Sequence, residues 1–166
     1  MKLSEQLVVI TIIGILIAFL FPSIVGIKNR IELSTAINTL AQAFRKARMD
    51  SIGEFTPMTV CIAEVNKKVA YANISGGNCD KISNWQYLGS GVIIDRPNST
   101  FRTVTGVAGN GGKVYRASWG DTEAGLGGSW GQLGRITLVQ GKNRKCIFLS
   151  NVKGDFDVRE GKRCIK

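Results

Sequence analysis

The sequence predicts an α+β fold in which one long N-terminal helix packs on an antiparallel β-sheet. Three observations carry this. A nearly unbroken apolar run occupies the first 27 residues. An amphipathic 3.6-residue pattern continues directly from it to about residue 53. Beyond Gly53 the texture changes to short β-rich runs separated by Gly, Asn and Asp clusters.

The apolar run comes first. Leu7 to Phe21 carries Thr11 as its sole polar side chain, and the extension to Ile27 adds Pro22, Ser23 and Gly26. Roughly 20 apolar residues suffice to cross a bilayer as a helix. A cleavable secretory signal would have a basic start and a small-residue cleavage site. Here Lys2 is the one basic residue ahead of the run, Glu5 stands at its head, and no A-x-A-like site follows Phe21. A buried helix in a soluble core is the other reading, but nothing else in the chain is apolar enough to cover such a segment on all sides. The run therefore reads as a retained anchor over residues 1–28, followed by a globular part over 29–166. Gly14 weakens this helix and Pro22 removes a backbone donor, so a kink or melted segment is expected near Gly14–Pro22.

After Pro22 the pattern becomes one-sided. Leu33, Ile37, Leu40, Phe44 and Ala47 recur at steps of three and four, joined by Ala36, Ala41 and Ile52, with the charged residues largely off that stripe. Gly53 is a plausible stop. Strands are expected at 58–63, 69–72, 85–95, 113–116, 135–140 and 146–150, with Gly141-Lys142-Asn143 suited to a hairpin between the last two. The stretch 120–134 holds six glycines and reads as a loop. It lacks the G-K-[ST] ending and following helix of a phosphate-binding loop.

Cys61, Cys79, Cys146 and Cys164 form an even set without a C-x-x-C, and the chain has no His. That argues against a metal site and for disulfides, hence for a compartment outside the cytoplasm. Four cysteines allow three connectivities. The sequential pairing Cys61–Cys79 and Cys146–Cys164 closes two modest local loops and is the favoured one. Four buried thiols are the alternative.

The 22 basic residues outnumber the 12 acidic ones, giving a net charge of +10. Such a balance suits polyanions, DNA and anionic lipid included, and equally serves solubility. Cations crowd the last 25 residues, from Lys142 to Lys166. An enzyme is poorly supported, because no nucleophile lies near a recognisable base motif, and no cofactor is implied. Asn73-Ile74-Ser75 and Asn98-Ser99-Thr100 match the N-glycosylation sequon and read as chance matches.

Glu5 requires explanation, since a carboxylate heading an apolar segment is costly in lipid unless paired. It can sit at the interface, pair with Lys2 or its own amine, or meet the amino terminus of a neighbouring chain. The head M-K-L-S-E-Q-L-V-V-I-T-I-I-G-I-L-I-A-F-L-F-P resembles the mature N-terminus of type IV pilins and type II secretion pseudopilins, with Glu5, Gly14 and Pro22 in register. Lys2, Ser4 and Gln6 stand where that family has Thr, Ile and Leu, so this head is more polar. The resemblance implies a pilin-like fold and a Met1 that is the processed, N-methylated first residue. It also implies Glu5 pairing with a neighbour's N-terminus, and melting between Gly14 and Pro22 on assembly. The chain would lie in the inner membrane first, then in an extracellular helical homo-oligomer built by pilus or secretion machinery and serving adhesion or secretion.

A second resemblance covers the remainder. Residues 47–52 and 57–61, then Trp85 to Asp95 and Ile147 to Val158, are similar to the GspH/FimT group of pseudopilins and minor pilins. It implies an alternative role in a type II secretion or DNA-uptake tip. Some members of that group bind DNA through a C-terminal G-R-x-R segment. Here Gly154-Asp155-Phe156-Asp157 occupies that place, so DNA binding is not carried over from it. Arg159, Lys162 and Arg163 remain as a polyanion-binding candidate on charge alone.

Overall fold

The computed structural model describes residues 3–54, 56–76, 78–80, 82–108, 112–119, 134–150 and 155–165. Helix α1, Leu3–Gly53, runs for 51 residues, about 77 Å at 1.5 Å per residue. Its helical pattern passes without interruption through residues 14 to 22. No melted break is assigned there, and helical backbone on both sides of Pro22 is also what a kinked helix gives.

The strands form two antiparallel sheets where the sequence suggested one. The first has the order β3-β2-β1-β6-β5, built from β1 (Met58–Val65), β2 (Lys68–Ser75), β3 (Gln86–Tyr87), β5 (Arg102–Ala108) and β6 (Gly112–Trp119). The second has the order β4-β7-β8-β9, built from β4 (Ile93–Ile94), β7 (Arg135–Gln140), β8 (Asn143–Leu149) and β9 (Phe156–Glu160). The single run expected over 85–95 is split. Gly89 and Gly91 adopt φ of +74° and +81°, a region that favours glycine, and the chain crosses there from the edge of one sheet to the edge of the other. Strand β5 was not foreseen.

Hairpin registers fix which side chains face the helix. β1 and β2 join through Asn66-Lys67, both at positive φ, the geometry a tight two-residue hairpin requires. Both faces of β1 are buried, each under its own cluster. Met58, Val60 and Ile62 enter the main core, while Cys61 and Ala63 enter a smaller cluster with Cys79 and Val114 on the opposite face. The main core closes when Leu33, Ile37, Leu40 and Phe44 of α1 meet Ile136 and Leu138 of β7 and Ile147 of β8. Of the predicted stripe, Ile52 alone is exposed. Phe44 is the hinge of this packing, with ring centroids 6.0 Å from Phe101, 5.3 Å from Trp119 and 5.7 Å from Phe156.

Glu64 ties the two sheets together. Its carboxylate accepts the Ile94 backbone N–H at 3.2 Å and pairs with Arg96 at 2.5 Å. Both favoured disulfides are present. Cys61–Cys79 has a Cα separation of 6.0 Å and Cys146–Cys164 one of 5.6 Å. The second anchors the short 3-10 helix Gly161–Cys164 to β8.

Candidate functional site

The contacts of α1 change character along its length. From Leu33 onward it contributes buried residues to the core, while residues 6–17 and 25–28 are exposed. Leu7, Val8, Val9, Ile10, Ile12, Ile13, Ile15, Leu16 and Ile17 are all solvent-facing, with fractional exposures from 46% for Ile17 to 67% for Ile10. Four consecutive apolar positions, 7 to 10, place such side chains on every side of the helix. Covering these nine side chains is worth on the order of 10 kcal/mol. A contiguous apolar surface of this kind marks a protein or lipid contact. Thr11 fits the same surroundings, because its hydroxyl donates to the Leu7 carbonyl at 2.8 Å and needs nothing outside the helix. At Gly14 an added Cβ would meet nothing within 4 Å, so packing within this chain does not demand glycine there.

Met1 lies outside the described residues, and so do the side chains of Glu5 and Pro22. Among the described residues no helix is long and apolar enough to cross a membrane. The described side chains of the apolar run stop at Ile17 and resume at Val25, inside the segment the sequence assigns to an anchor.

The basic candidates lie on the last elements. Arg159, on β9, is already engaged: its guanidinium lies 4.6 Å from the Phe148 ring centroid and 3.2 Å from the Asp157 carboxylate. Lys162 and Arg163 are exposed on the Gly161–Cys164 helix. The structure thus leaves two of the three cations outward and spends the third on its own strand. Asp155 answers Arg48 of α1 at 2.5 Å, so this acid serves the helix–sheet contact. The glycine-rich stretch 120–133 lies outside the described residues, and no group of three or more metal-binding side chains occurs among the described ones.

Both sequon asparagines are committed. The Asn73 amide donates to the Ala43 carbonyl at 3.3 Å and the Asn98 amide to Asp95 at 3.0 Å. Among the described residues the resolved electrostatic shifts fall on the domain. Burial raises the Tyr71 and Tyr115 phenols, with Arg96 opposing and Glu64 and Asp95 reinforcing the shift at Tyr115. Arg96 is raised by its hydrogen bond to Glu64.

One feature escaped the sequence reading. A cleft of about 250 Å³ joins Arg30 of α1 to Lys142, Asn143, Arg144 and Lys145 of the β7–β8 hairpin and to Glu160. Arg30 and Lys142 are far apart in sequence, and the docking of the β7–β8 turn on α1 brings them together.

No family model, curated protein or solved structure matches the chain.

Proposed function

We propose that this chain is a structural subunit of a type IV pilus-like filament, held by the first half of α1 in a membrane and then in the filament core. The observation that carries the reading is the division of one continuous helix: residues 33–47 build the domain core while residues 6–17 expose apolar side chains all round. A domain with its own closed core has no internal use for that surface. Lipid, and afterwards the same segment of other copies, would cover it. A repeated contact of this kind that does not close on itself generates a helical filament. Gly14 would then allow close approach of a neighbouring helix, which explains a residue costing about 1 kcal/mol relative to Ala inside a helix. The register of Glu5, Gly14 and Pro22 with pilin heads supplies the rest: Glu5 pairs with the amino terminus of the adjacent copy, Met1.

Glu5→Ala tests this. The variant should remain in the membrane fraction and fail to assemble, and a normal filament yield would refute the role given to Glu5. A second reading, a minor pilin or pseudopilin at a filament tip, is favoured by the likeness of residues 85–95 and 147–158 to the GspH/FimT group. Subunit stoichiometry in sheared filaments separates the two. A dominant band means the repeating subunit, a trace band the tip. Neither reading gives the chain a catalytic role.

A further inference from the structure

The contacts along α1 set the depth of each strand end relative to the exposed apolar half. Asp155 and Phe156 meet the helix at Arg48 and Phe44, and Lys145 meets it at Ser34. Gln140 donates to Glu32, and a Cβ on Gly141 would stand 3.3 Å from the Asn29 amide. The β7–β8 turn therefore sits where α1 leaves the domain. The β1–β2 turn lies at the same pole, because β2 passes Ala43 at Asn73 and runs back from there toward Lys68. Both turns are basic and exposed, carrying Lys142 at one and Lys67 and Lys68 at the other.

The cleft between Arg30 and Lys142 opens at this pole. Arg144 is held from behind by Asp95 at 2.8 Å, and Lys145 is shared between Ser34 at 2.8 Å and Glu160 at 3.4 Å. Arg30 and Lys142 have no ion-pair partner among the described residues, and with Glu160 as the one lining carboxylate the cleft carries excess positive charge. Within one and a half helical turns before Arg30, the apolar surface resumes with Ile27, 57% exposed, and Val25, 54% exposed. Cationic cleft and apolar helix are thus contiguous, with the cleft on the domain side.

We propose that this cleft binds the phosphate of an anionic phospholipid, Arg30 and Lys142 holding its oxygens and the Asn143 amide lying beside them, while the acyl chains run along the helix from Ile27. The inference rests on the membrane-anchored reading above. The ligand chemistry is a phosphate oxyanion. A free phosphate would gain nothing from the adjacent apolar helix, whereas a lipid uses both surfaces. The flanking Lys67 and Lys68 add attraction to an anionic bilayer that decays within a Debye length.

The test uses the full chain in nanodiscs of equal phosphatidylcholine and phosphatidylglycerol, with bound lipid counted by native mass spectrometry. The wild type should retain phosphatidylglycerol preferentially. Each Lys or Arg near an anionic surface contributes roughly fivefold, so Arg30→Gln with Lys142→Gln should cut the preference by at least about tenfold. Lys46→Gln, at the far end of the domain, should leave it unchanged. Equal retention of the two lipids by the wild type, or an unchanged preference in the double variant, overturns the proposal. Displacement of the bound lipid by millimolar inorganic phosphate overturns the lipid source in favour of a free anion. Release of the chain from the bilayer by alkaline carbonate overturns the anchored reading, and the lipid site with it. Retention in carbonate without lipid preference overturns the site alone.

Discussion

Phe44→Ala is the sharpest probe of the idea that one helix does two separate jobs. Phe44 is fully buried and meets Trp119 and Phe156 edge-to-face and Phe101 tilted, at centroid distances of 5.3 to 6.0 Å, so it contacts rings on both sheets at once. Truncation removes a large transfer term and leaves a cavity that three rigid rings cannot fill, which places the cost at about 3 to 5 kcal/mol. That is a large share of the 5 to 15 kcal/mol typical of a domain. Ile10→Ala, on the same helix but in the exposed half, should move domain stability by less than about 0.5 kcal/mol. Urea unfolding of the full chain in mild detergent, followed by tryptophan fluorescence, measures both. Trp119 reports directly, because its ring is one of the three partners. A loss below about 1 kcal/mol for Phe44→Ala, or equal losses for the two variants, would refute the division of labour along α1.

Three further outcomes follow from the same packing. Removing either disulfide as a double Cys→Ala variant should cost about 2 to 4 kcal/mol. The two losses should add, since Cys61 lies in the small cluster of the first sheet and Cys146 in the second; urea midpoints of the two double variants and the quadruple variant decide it. Burial raises the Tyr71 and Tyr115 phenols above 10.0 in the folded state. Their contribution is therefore fully present below the unfolded value and is lost as pH rises through the folded one. Urea midpoints should fall above about pH 10, and Tyr71→Phe with Tyr115→Phe should flatten that fall; an unaltered slope would contradict the assignment.

Much of the fold was legible because it rests on local chemistry. The stripe from Leu33 to Ala47 reads directly as a buried helix face, and Gly53 as its end. The sequential cysteine pairs close the expected local loops, and Gly141-Lys142 supplies the hairpin turn, with Gly141 at φ +59°. What escaped was non-local. Ile52 continues the apolar spacing, yet it stays exposed at the end of α1. Strand β5 alternates weakly, through Arg102, Thr103, Thr105 and Gly106, and is held chiefly by pairing with β6. The run 85–95 looks continuous until two positive-φ glycines redirect it between sheets. Pro22 reads as a point of kinking or melting, and the helical assignment runs through it without a melted break.

The exposed apolar surface was legible as an apolar run, and the structure sharpened it by showing that the domain closes without using residues 6–17. The cationic cleft was invisible, since Arg30 and Lys142 meet only after the β7–β8 turn has docked at Asn29. Arg159, conspicuous in the sequence, turned out to be occupied by Phe148 and Asp157.

Electron microscopy of purified surface filaments, with the repeating subunit identified by mass spectrometry, tests the central claim most directly. The account predicts filaments in which this chain is a constituent, with residues 6–17 packed against other copies near the axis and the β-domain outside. Filaments that lack the chain, or a chain found solely as a dispersed membrane protein with residues 6–17 in lipid, would contradict it.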